Sequence, residues 1–163
     1  MSLGYIETIL EPDERITYRA YLHWIIYVRH AWLILIGVLL TLFAANRVTE
    51  NEDAAKTFAL VGFILFLLGA LGVLLSAIRR WTTEIAVTNQ RVILKTGLIR
   101  RDTVEINMPK VESVDVRQSI LGRLLNYGTV IVRGTGGSPN PFTTVSEPLP
   151  LRRAVTLAAK TSS

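Results

Sequence analysis

The sequence predicts a membrane α-helical hairpin joined to an all-β barrel or sandwich with a C-terminal capping helix. Three observations predict it. Residues 57–78 form an uncharged apolar run of 22 residues, a second apolar run precedes it across a short polar loop, and beyond Trp81 apolar residues recur at every second position. At about 1.5 Å per residue the longer run reaches roughly 33 Å as a helix, against a hydrocarbon layer about 30 Å thick. A stretch of that length without a charge leaves no polar face for a globular surface, which makes a buried soluble core the weaker reading. The chain begins with acidic residues and its first apolar run starts late, so a cleaved leader is not expected.

Residues 1–23 form an N-terminal segment in which Ile16, Tyr18, Ala20 and Leu22 alternate with Arg15, Thr17, Arg19, Tyr21 and His23. That alternation reads either as a strand added to the edge of the soluble sheet or as an amphipathic interfacial helix over 14–22. The first span covers 24–45. Arg29 and His30 interrupt its start, where Arg29 is expected at headgroup depth with its stem snorkelling. Trp24, Tyr27 and Trp32 fit an aromatic belt at the same level. The loop 46–56 carries Arg47 and Lys56 against Glu50, Glu52 and Asp53. The second span, 57–78, runs straight into Arg79 and Arg80.

Small residues mark where the two helices would meet. Gly37, Thr41 and Ala44 lie on one face of the first span, and Ala59, Gly62, Gly69, Gly72 and Ser76 on one face of the second. Lipid gives helices little hydrophobic reason to associate, so close backbone approach through small residues does the packing. An intrachain seam is the first reading, and an interface with another membrane subunit or a second copy is the sharper one.

Basic flanks favour the cytoplasm, which puts both termini inside and the acidic loop outside a bacterial inner membrane. From Arg79 onward there are thirteen Lys/Arg against six Asp/Glu, a net of +7. This block, 79–163, has 85 residues, enough for one small domain with its own core.

Within it the apolar period is two. Thr83, Ile85 and Val87 share one face of the first strand, with Thr82, Glu84 and Ala86 on the other, and Asn89-Gln90 turns into a returning strand at Arg91–Thr96. Asp102–Met108 and Val111–Arg117 follow as strands on either side of Pro109. Ser119–Leu125 reads as a short helical turn, stopped by Asn126 and Gly128. Thr129–Arg133 and Phe142–Val145 are the last strands, separated by the loop Gly134–Pro141. Pro148 and Pro150 precede a terminal helix with an apolar stripe of Leu151, Ala154, Val155 and Ala158.

The run Trp81-Thr82-Thr83-Glu84-Ile85-Ala86-Val87-Thr88-Asn89-Gln90-Arg91-Val92-Ile93, the following Lys95-Thr96-Gly97-Leu98-Ile99, and the segment Gln118–Val130 (QSILGRLLNYGTV) resemble the bacterial membrane-flanked pleckstrin-homology-like (PH-like) domain family. The resemblance covers nearly the whole chain, because two-span members also place two spans before the domain. It implies a small, strongly bent β-barrel with a C-terminal capping helix. A fold of this kind does not by itself assign an activity.

Catalytic chemistry finds few residues. The chain has no cysteine, hence no disulfide, thiol nucleophile or thiolate metal site. Its two histidines, His23 and His30, sit near the membrane, and the cytosolic block has none, so a Ser/His/Asp arrangement is unavailable there. Gly134-Thr135-Gly136-Gly137 lacks the lysine of a phosphate-cradling loop and lies between strands. Glu84, Glu105, Glu112 and Asp115 occupy outward strand positions suited to surface ion pairs. No metal-ligand spacing and no cofactor motif is present, and basic residues are not interleaved with exposed aromatics as nucleic-acid binding requires.

Binding is the expected role. Ser119–Leu125 carries Ile120, Leu121, Leu124 and Leu125, more apolar residues than one turn needs. The first reading is that some cover the end of the barrel. Those left over form a patch beside Arg117 and Arg123 suited to a partner or to the bilayer surface, with Leu121, Arg123, Leu124 and Leu125 as partner-contact candidates. Open barrel edges can also accept a strand from a partner. The expectation is a non-catalytic, membrane-anchored interaction or scaffold module, an accessory subunit of a larger membrane complex or a homo-oligomer. The alternative is a sensor of anionic lipid headgroups. The resemblance to PH domains points that reading to Arg91, Lys95, Arg100 and Arg101.

Overall fold

The computed structural model describes residues 5–47, 52–97, 102–136 and 140–161. In chain order the elements are α1 (Tyr5–Thr8), β1 (Ile16–Ala20), α2 (Val28–Arg47), α3 (Glu52–Thr82), β2 (Glu84–Thr88), β3 (Arg91–Thr96), β4 (Asp102–Asn107), β5 (Val111–Arg117), α4 (Ile120–Leu124), β6 (Tyr127–Gly134), β7 (Asn140–Ser146) and α5 (Pro148–Thr161). They fall into two units, Met1–His23 with Arg79–Ser163, and Trp24–Ile78.

The first unit is a pair of antiparallel sheets, one ordered β1-β2-β3-β4 and the other β5-β6-β7. The N-terminal alternation therefore resolves as a strand: β1 pairs with β2, bringing Ala20 opposite Ile85. A bulge between Ile16 and Tyr18 turns Ile16 to the opposite face from Tyr18 and Ala20. The β2–β3 turn is built by the buried Thr88, whose Oγ1 accepts from the amides of Gln90 (3.1 Å) and Arg91 (2.9 Å). Such a hydroxyl–backbone turn is why Thr-Asn-Gln reverses the chain without glycine. After β1 the chain runs along β7, where the His23 amide donates to the Thr144 carbonyl and the Ser146 amide to the Tyr21 carbonyl, joining the two sheets.

Between the sheets lies the core of Ile85, Val87, Val92, Met108, Val130, Val132, Phe142 and Val145, closed by Leu151 and Val155 of α5. Helix α5 packs on strands of both sheets, β1, β2, β5 and β6. It starts at Pro148, earlier than the sequence suggested. A proline is favoured in the first turn because the amide it lacks has no intrahelical partner there.

The outer face of β2 and β3 corrects the simple alternation. Ala86, expected to face outward, is fully buried, as is Ile93 beside it. The covering residues are Ile6, Ile9, Leu10 and Ile16 of the N-terminal segment. Both faces of β2 are thus apolar because α1 and its following turn lie over one of them.

The second unit is the helix pair α2 and α3. Two stretches, Trp24–Asn46 and Glu52–Thr82, are helices long and apolar enough to cross a membrane. The 57–78 run sits inside the longer helix. Their outer surface is apolar all round: Leu35, Leu39, Phe43, Phe63, Leu67 and Leu74 are among the exposed side chains. Contact between the helices is made where side chains are small. A Cβ on Gly37 would lie 2.6 Å from the Gly62 carbonyl, and one on Gly62 would lie 2.6 Å from Thr41 Oγ1. Gly69 lies against Ile34, and Gly72 against the His30 ring. His30 Nδ1 also meets Ser76 Oγ at 3.3 Å. Ala55, Gly62, Gly69 and Ser76 are the buried residues of α3, one every seven positions, the period that keeps a seam facing its partner.

Candidate functional site

Of the four basic residues singled out for headgroups, Arg91 and Lys95 lie on one face of β3, and Arg100 and Arg101 fall outside the described residues. Arg91 is held from three sides. Its Nε and Nη2 donate to the two oxygens of Glu14 at 3.0 and 2.8 Å, and Nη1 donates to Glu105 at 2.9 Å. Glu11 stands 3.4 Å from Nη1, and Nη2 also reaches the Ile9 carbonyl. The Glu14 carboxylate is completely shielded from solvent and further accepts from Thr88 Oγ1 at 2.7 Å and from the Glu11 amide at 2.9 Å. Burial pushes the Glu14 carboxyl up, but the hydrogen bonds from Arg91, Glu11 and Thr88 outweigh it and hold the group below the usual carboxylate range. Lys95 pairs with Glu84 at 3.3 Å. No local sequence signal marks Arg91 as enclosed, because Glu11 and Glu14 belong to a segment almost eighty positions earlier.

The partner-contact residues are presented differently. Helix α4 is a five-residue helix whose Ile120, Leu121 and Leu124 are 87, 61 and 79 % exposed, with Leu125 also on the surface. Arg117 and Arg123 beside them are exposed too. These apolar side chains therefore do not cover the end of the barrel. What holds the turn in place is polar and backbone chemistry. Ser119 caps it by accepting from the Gly122 amide at 3.0 Å, and Gln118 Nε2 donates to the carbonyls of Gly122 and Tyr127. Gly122 is buried, and a Cβ there would sit 2.7 Å from the Tyr127 carbonyl, so only glycine allows this approach. Asn126, at φ 58°, then ends the turn in the left-handed conformation that asparagine tolerates.

Beside α4 lies His23, buried in the domain. Its ring stacks on Tyr127 with centroids 5.2 Å apart and hydrogen-bonds the backbone of Leu125. Burial lowers its pKa, and the positive charge of Arg80 lowers it further against the opposing effect of the Leu125 bond. The second histidine, His30, belongs to the helix seam.

A third surface is the open edge that barrels of this kind present. Among the described residues, β5 ends its sheet and pairs only with β6. Glu112 and Ser113 on it are exposed. A cleft runs along this edge, lined by Val111, Glu112, Ser113 and Val114 on one side and by Thr156, Ala159 and Lys160 of α5 on the other. Of the outward carboxylates, Glu84 and Glu105 form the pairs above, and Asp115 pairs with Arg133 at 3.1 Å. No cluster of three or more metal-ligating side chains occurs among the described residues.

Two antiparallel sheets of four and three strands, closed by one C-terminal helix, define a PH-like module, a class that typically binds and does not catalyse. The family described as Bacterial PH domain matches residues 19–159, and the chain belongs to it. No curated protein and no solved structure matches the chain.

Proposed function

We propose that this chain is a two-span inner-membrane protein, both termini cytoplasmic, whose PH-like domain is a non-catalytic docking module for a protein partner. The membrane placement is supported by the apolar circumference of α2 and α3 and by the excess of basic residues outside the 46–56 loop. The observation that carries the docking reading is the β5 edge lying open beside α5. An extended peptide can add to such an edge through main-chain hydrogen bonds while its side chains enter the neighbouring cleft. The headgroup-sensing alternative is weakened by the carboxylates that surround Arg91 and by the Glu84 partner of Lys95. The partner is a membrane-protein subunit or a second copy of this chain.

A photo-crosslinking residue at Ser113 in the full chain, in cells, tests this. Protein adducts at Ser113 with none at Thr135 are expected. No adducts at Ser113, together with altered lipid preference after charge reversal of Arg91, Lys95, Arg100 and Arg101, would instead favour the headgroup reading.

A further inference from the structure

The strongest unexplained feature is an apolar turn built to stay exposed. Ile120, Leu121 and Leu124 project from α4, while its buried side is a glycine fixed against a backbone carbonyl. A capping serine, a glutamine clamp and a left-handed asparagine hold that arrangement. A soluble surface gains nothing from fixing three large aliphatic side chains in water. The position of the turn indicates what receives them. The chain leaves the domain at His23 and returns at Arg79. His23 hydrogen-bonds Leu125 at the end of α4 and stacks on Tyr127, and the charge of Arg80 bears on the same imidazole. Exit, return and α4 therefore share one end of the domain. If residues 24–78 cross the bilayer, as proposed above, its surface begins at that end.

We propose that α4 dips into the inner leaflet, with Ile120, Leu121 and Leu124 below the headgroups and Arg117 and Arg123 at phosphate level. The exposed Trp81, next to Arg80, suits the same interface. This gives the domain an attachment to lipid besides its two chain connections. The occupant is lipid, recognised by apolar burial and anionic charge, and this goes beyond the docking role assigned to β5.

The absence of native cysteine makes the test direct. Single Ile120→Cys, Leu124→Cys and Thr135→Cys variants of the full chain carry an environment-sensitive fluorophore in nanodiscs of phosphatidylethanolamine and phosphatidylglycerol. Thr135 lies just past the other end of β6, eight residues and roughly 26 Å from Tyr127. Lipids brominated at roughly 5–10 Å depth should quench the labels at 120 and 124 about threefold more than the label at 135. Equal, weak quenching at all three sites overturns the proposal. Blue-shifted but unquenched labels would mean that protein covers α4, in a second copy, and would also overturn it. Failure of the chain to co-elute with the discs would remove the membrane placement itself, a result separable from the other two.

Discussion

Arg91 and Glu14 form a two-pronged ion pair across 77 positions of sequence, with the carboxylate buried and the guanidinium nearly so. The pair fastens the N-terminal segment over the outer face of β2 and β3, where Ile6, Ile9 and Leu10 cover Ala86 and Ile93. Glu7 with Arg19, and Glu84 accepting from the Ile6 amide, hold the same segment.

Removing one partner should cost more than the pair contributes, because it leaves a desolvated charge behind. Glu14→Gln is expected to destabilise the domain by about 3 kcal/mol, read as a lower unfolding midpoint of the detergent-purified chain. Glu14→Leu combined with Arg91→Met should recover much of that loss, since no buried charge then remains. A double variant as unstable as the single one would show that the pair is not the fastener.

The pH dependence has two acid arms. His23 titrates lower in the fold than outside it, so the stability from its neutral form is complete above about pH 6.5 and declines as the pH falls below that value. Glu14 also titrates lower when folded, so its contribution is complete above about pH 4.3 and is lost as the pH falls through the folded value. Tryptophan fluorescence across a pH series should show His23→Gln flattening the upper arm and Glu14→Gln the lower. An unchanged upper arm in His23→Gln would contradict the assignment.

Within the hairpin, bulk on the seam should matter and bulk on the rim should not. Gly62→Val places carbon where the Gly37 carbonyl and Thr41 already sit, and is expected to cost about 1–3 kcal/mol of helix association. Leu60→Val, on the exposed surface of α3, should be close to neutral in lipid. Thermal unfolding in one detergent compares them, and equal midpoints would refute the seam.

The α4 turn is held by its cap. Ser119→Ala should cost about 1 kcal/mol locally, which makes the amides of residues 122–125 exchange roughly fivefold faster. The sheets should be unaffected. Faster exchange throughout β5 and β6 would mean that the turn is not an independent unit.

Strands β4 and β5 were legible because their apolar residues recur at every second position, and the breaks at Asn89-Gln90, Pro109 and Asn126 bounded their neighbours. Strand β1 was only half legible, because residues 14–22 read equally well as an interfacial helix. The exposed apolar turn was half legible. Ile120, Leu121, Leu124 and Leu125 outnumber what one turn needs, yet the same residues read first as cover for the end of the barrel, and only the fold shows them exposed. The covering of Ala86 and Ile93 was not. It depends on Ile6, Ile9 and Leu10, which reach β2 and β3 only after the whole hairpin intervenes. The enclosure of Arg91 had the same cause: a basic residue on a strand reads as a free cation until the fold brings Glu14 beside it. The β5 edge depends on which strand ends the sheet, and that is a property of topology without a local sequence signal.

The account depends most on the placement of the domain on the cytoplasmic side of two spans. Single Glu52→Cys and Glu112→Cys variants, treated with a membrane-impermeant maleimide on intact spheroplasts, test it directly. Glu52→Cys should label at once, and Glu112→Cys only after permeabilisation. Immediate labelling of Glu112→Cys with protection of Glu52→Cys would contradict the account.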